Sequence, residues 1–275
     1  MRRSTTSAGT DRRAHARSRK TLGALLVAEL LCALLLVGRV DSPSGPVVAT
    51  PASLTTPSAT VTSRPLSDGR TVRLIGLGGN NEPLLSRVAA EMDEAAAAVS
   101  AFWGDDWPRE IVVVAAGSAE QFAAVGGGDS HTAATATAER IMFAPDAGGM
   151  SDEALRIVLR HELFHYAARE QTAADAPQWL TEGVADFVAR PAGVPSRAVN
   201  ATLPTDAELA GPQRSAAYDR AWLFSRFVAD EYGVATLRQL YLRACGHDHT
   251  DTATALREVL GEDPQAIMAR WRQWM

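Results

Sequence analysis

The chain has 275 residues, 46% hydrophobic and 21% charged, the balance of an ordinary globular protein able to bury a sizeable core. Its formal charge is -5, yet the first twenty residues hold Arg2, Arg3, Arg12, Arg13, Arg17, Arg19 and Lys20 against Asp11 alone, which leaves 20 bases and 31 acids in the remainder. An acidic body whose basic character is confined to one terminus argues against nucleic acid as the partner.

Residues 1–20 read as a basic cytoplasmic segment. From Leu22 to Val40 the sequence is LGALLVAELLCALLLVGRV, with Glu29 and Arg39 its only charges. That length lies near the lower end of the about 17 to 25 residues a membrane-spanning helix needs. The reading is a transmembrane anchor over residues 21–40, with the arginine cluster kept in the cytoplasm and everything after Arg39 sent to the outer side. The competing reading is a signal peptide that is cleaved to release a secreted protein. Its weak small-residue site at Val47 and Ala49 falls well past the apolar run, which favours the anchor. Residues 41–66, rich in Ser, Thr and Pro, are expected to form an extended stalk. The folded domain is expected over 67–275. Cys32 lies in the apolar run, so Cys245 is the single thiol beyond it; with no partner for a disulfide, it is expected to be a small core residue.

Within the domain, TVRLIGL from Thr71 is a strand, Glu82 to Phe102 an alanine-rich helix, and EIVVVAA at 110–116 a buried strand. Gly126, Gly127 and Gly128 mark a turn, and TATAERIMFAP at 135–145 supplies one or two further strands, along which an extended peptide could lie. From Ser151 onward every strong periodicity is helical. The expected fold is α+β: a small mixed sheet with a long helix, followed by a helical half.

The chemistry centres on HELFH, residues 161–165. On a helix, His161 and His165 at i and i+4 project from one face and can chelate one zinc ion. Ser151 as N-cap, Asp152 and Glu153 in the first turn, Arg169 near the far end and an apolar stripe of Leu155, Val158, Leu159, Leu163 and Tyr166 provide that helix. A second constellation, PQWLTEGVADFVA from Pro177, places Glu182 and Asp186 four apart on one face of another helix. One carboxylate can reach the metal and the other can stand behind it. Catalytic zinc takes three protein ligands, His2Glu among the established sets, and a ligating histidine needs a partner for its second nitrogen. Asp186 suits that role toward His161.

HELFH followed by WLTEGVADF resembles the gluzincin metallopeptidases of the peptidase MA-like group, relatives of thermolysin. The likeness runs from about Ile111 to the C-terminus and includes AYDRAWLFSRFVADEYG and the tail ALREVLGEDPQAIMARWRQWM. It implies a zincin-like fold in which the helical half carries the HExxH and glutamate helices, and one Zn2+ per chain held by His161, His165 and Glu182. It also implies Glu162 as general base, Asp186 as the orienting carboxylate, and a peptide or protein as substrate. Tyr218, early on a later helix, is the candidate oxyanion donor, with packing against Trp222 as its alternative role. His131, in the glycine-flanked loop, is the weaker candidate. GHDHTD at 246–251 reads as a solvated loop between helices. The rival to an anchored, extracytoplasmic peptidase is an idle zinc-binding ectodomain that binds a cell-envelope partner.

Overall fold

The computed structural model of the protein describes residues 59–126, 132–191, 193 and 200–275. Among them no helix is long and apolar enough to cross a membrane. The expected anchor at 21–40, most of the stalk and His131 lie outside the described residues.

The first half is a five-stranded sheet made of β1 (Thr60–Pro65), β2 (Thr71–Leu77), β3 (Glu110–Ala116), β4 (Ala134–Ala136) and β5 (Ile141–Phe143), in the order β1-β2-β3-β5-β4. The β2/β3 and β3/β5 pairs are parallel, and the two outer pairs, β1/β2 and β4/β5, are antiparallel. β3 is central and its residues 113–116 are all buried, as expected for a strand covered on both faces. β1 departs from the sequence reading, because it recruits part of the presumed stalk and starts the folded region before residue 67. All six of its side chains are exposed, so it is held by backbone pairing to β2 and leaves no apolar signature.

Helix α1 (Glu82–Trp103) crosses from β2 to β3 and packs on the sheet through Leu84, Val88, Met92 and Val99. Helix α2 (Ala119–Gly126) follows β3. It was not expected from the sequence: Gly126, the first of the three glycines read as a turn, ends this helix, and Gly127 and Gly128 lie outside the described residues. The helix has eight residues and Phe122 is its one buried side chain, too short a run to show periodicity.

The helical half comprises α3 (Asp152–Ala168), α4 (Gln178–Ala189), α5 (Asp206–Ala210), α6 (Arg214–Tyr232), α7 (Val234–Cys245), α8 (Thr252–Leu260) and α9 (Pro264–Trp274). α3 begins where Ser151 accepts a hydrogen bond from the Ala154 amide, the cap the sequence suggested. Its apolar side locks into an edge-to-face aromatic cluster in which Phe164 meets Phe102, Trp103 and Tyr241. Its outer side is tied to α1 by Arg156 to Glu91 and Arg160 to Glu94. Cys245 is fully buried in the same core, and burial raises the pKa of its thiol.

Helices α4 and α6 approach unusually closely. A Cβ added at Gly183 would stand 2.5 Å from the Ala221 carbonyl oxygen and 2.9 Å from Ser225 Oγ. The glycine following Glu182 therefore has a packing reason: it lets α6 come near enough to face the metal-ligand candidates.

Candidate metal centre

α3 and α4 bring their polar faces together over a cleft. His161 Nε2 lies 3.1 Å from His165 Nε2 and 3.2 Å from a Glu182 carboxylate oxygen, and His165 Nε2 lies 3.6 Å from the other oxygen. Among the described residues these three form the one cluster of metal-ligand type whose donor atoms all lie within 4.8 Å of one another. Two donors bound tetrahedrally to zinc at about 2.0–2.1 Å stand about 3.3 Å apart. The observed separations bracket that value, so the donor set fits zinc in both chemistry and spacing.

The electrostatics agree. Burial disfavours a charged His161, yet hydrogen bonds with Asp186 and Glu182 and the negative charge of both outweigh it and hold the His161 pKa well above the usual histidine range. Burial also acts against the Glu182 carboxylate, but the adjacent His165 and His161 keep it ionised, with its pKa far below the usual carboxylate range. The cluster favours positive charge at its centre.

Asp186 is 3% exposed. Its Oδ1 lies 3.0 Å from His161 Nδ1, which places the ring proton on Nδ1 and leaves the Nε2 lone pair for a metal. Its Oδ2 forms an ion pair with Arg190 at 2.6 Å, and Arg190 reaches Asp219 on α6 at 2.7 Å while lying over the Trp222 ring. Sequence reading missed Arg190. The acid-to-arginine spacing of four on one helix was the available signal, but Asp219 became a partner only through tertiary contact.

Glu162 is half-buried beside the histidines and lines the cleft together with Ala136 of β4. Desolvation dominates and raises its pKa, the direction that suits a base working near neutrality. Tyr218 lines the same cleft. Burial, reinforced by the charges of Glu182 and Asp186, raises its pKa, so its hydroxyl stays protonated and able to donate at neutral pH. It also packs against the core, the alternative role expected of it.

The expected loop GHDHTD finds partners within the protein: His249 pairs with Asp175 at 3.1 Å and His247 contacts the Glu170 carbonyl oxygen.

Neither a protein-family model nor a curated protein matches the sequence. Solved structures do match the fold. A variant of an M1 zinc metallopeptidase from Deinococcus radiodurans superposes with a TM-score of 0.50 at 17% identity, covering 78% of this chain and 52% of that one. Legionella pneumophila aminopeptidase A, in complex with aspartic acid, gives 0.51 at 15% identity, covering 78% of this chain and 28% of its own. The chain thus spans about half the length of the first and less of the second. What the likeness establishes is the fold: an α+β domain with a small mixed sheet before a helical half.

Proposed function

We propose that the protein is a zinc metallopeptidase that hydrolyses peptide bonds, with His161, His165 and Glu182 holding the metal and Glu162 as general base. The observation that carries this reading is the convergence of three donor atoms from two helices at tetrahedral spacing, with a carboxylate beside them and a cleft in front. A zinc ion held there supplies Lewis acidity, polarising a carbonyl and making a water acidic enough to lose its proton near neutral pH.

The rest of the chemistry belongs to the chain. Glu162 takes the proton of the attacking water and delivers it to the departing amine, acting as base and then as acid. The Tyr218 hydroxyl donates to the oxygen that becomes negative as the carbonyl is attacked. Asp186 keeps the proton of His161 on Nδ1 throughout. β4 lies at the edge of the sheet, so a substrate in extended form can pair with its backbone.

The arginine-rich start and the apolar run Leu22 to Val40 support an anchored protein whose catalytic domain faces out of the cytoplasm.

The test is to prepare the full-length protein in detergent, quantify zinc and screen a mixed peptide library beside Glu162→Gln. Zinc near one per chain with turnover lost in the variant is the expected result. Zinc without turnover would favour an idle ectodomain that binds a cell-envelope partner.

A further inference from the structure

We infer that the site cuts internal bonds of an extended polypeptide and does not trim chain ends; the inference rests on the peptidase reading above. Two cavities, of 810 and 410 Å³, meet at His161, Glu162 and Tyr218. The smaller one runs toward the start of α3, reaching Ile157 and Val158 and the facing Leu209 and Ser215. The larger runs the other way, past His165 to Arg169 and on to the segment before α4. At β4 and the residues just before it they also separate: Ala133 lines only the smaller cavity and Thr135 and Ala136 only the larger, while Thr132 and Ala134 line both.

The helix gives the ruler. At about 1.5 Å per residue, Ile157 to Arg169 spans about 18 Å, with Glu162 about 7.5 Å from one end and 10.5 Å from the other. An extended peptide advances about 3.4 Å per residue. The cleft therefore takes roughly two residues on one side of the general base and three on the other. An enzyme that removes single terminal residues needs one side to stop after a residue.

Charge leads to the same conclusion. A chain-end enzyme holds the terminal amine or carboxylate against an opposite charge, and that charge is effective when it is desolvated and free. Among the described lining residues the acids near the centre that flank the metal-ligand candidates are engaged: Asp186 and Asp219 by Arg190. Arg169, Asp175 and Asp206, also on the lining, are exposed, where an ion pair contributes little, and the half-buried Arg214 on the smaller cavity is not free.

The test compares one quenched fluorescent peptide of about eight residues, longer than the cleft, in two forms. One form has free termini; the other is N-acetylated and C-amidated. Each is incubated with the zinc-loaded full-length protein and with Glu162→Gln as blank. The expected result is cleavage of both forms at rates within about threefold, with product masses that place the cut at an internal bond. Release of single residues from the free form while the blocked form stays intact would overturn the inference and leave the peptidase reading standing. Turnover of neither form would overturn both.

Discussion

The Oδ1 atom of Asp186 stands 3.0 Å from His161 Nδ1, and this contact decides which nitrogen of the ring is left for a metal. Asp186→Asn keeps the volume but lets the amide present either a donor or an acceptor, so the tautomer is no longer imposed. Zinc affinity should fall by about 10- to 100-fold, measured by competition with a fluorescent chelator, without loss of the fold by circular dichroism. Arg190→Met should weaken binding in the same direction, because the other oxygen of Asp186 then lacks its counter-charge, and Arg190→Lys should recover part of the loss. Unchanged affinity in Asp186→Asn would remove it from the metal's support.

Tyr218→Phe deletes one hydroxyl and leaves the ring packed. If that hydroxyl stabilises the oxyanion, kcat should drop by about 10²- to 10³-fold, with KM and zinc content close to those of the parent. A loss appearing in KM alone would assign the residue to substrate packing.

Gly183→Ala places a methyl group 2.5 Å from the Ala221 carbonyl oxygen. The two helices must part or distort, at a cost of about 1–3 kcal/mol. At about 2–4 °C per kcal/mol for a domain of this size, a clear fall in Tm is expected in a thermal melt, together with weaker zinc binding as α4 shifts Glu182. An unaltered melt would show that the close approach is not constraining.

The loop after α7 should respond to pH. The hydrogen bond to Asp175 raises the pKa of His249 above 6.5, and the same bond lowers that of Asp175 below 3.8. A raised histidine pKa contributes stability that is complete below 6.5 and is lost as pH rises through the raised value; the lowered carboxylate contributes above 3.8 and is lost as pH falls through its own value. The pair is therefore at full strength between about pH 4 and 6.5. His249→Asn should flatten the alkaline side of the Tm-against-pH curve, and a variant curve parallel to the parent's would dismiss the pair as a contributor. Asp175 is largely exposed, so the effect is small.

Spacing along a helix is local, and for that reason the sequence alone could determine much of the site. His161 and His165 share a face because they are four apart on a helix that Ser151 caps and Leu155, Leu159 and Leu163 bury, and Glu182 and Asp186 share a face on α4 for the same reason. The long α1 and the central β3 were equally readable, because both carry apolar patterns that match their own period. Where the signal is not apolar, it vanished. β1 pairs with β2 through backbone hydrogen bonds while exposing all its side chains, and α2 is too short to repeat.

Only the tertiary structure decided that the two faces meet. Nothing in the residues between α3 and α4 sets the distance from Glu182 to His161; the close packing of α4 on α6 through Gly183, and of α3 on the aromatic cluster, sets it. The same packing brought Tyr218 to the cleft, gave Arg190 its second carboxylate in Asp219 and set Ala136 of β4 on the lining beside Glu162. Helical periodicity tells which side chains can act together on one element. Bringing two elements to a common point is the work of a core whose contacts are far apart in sequence.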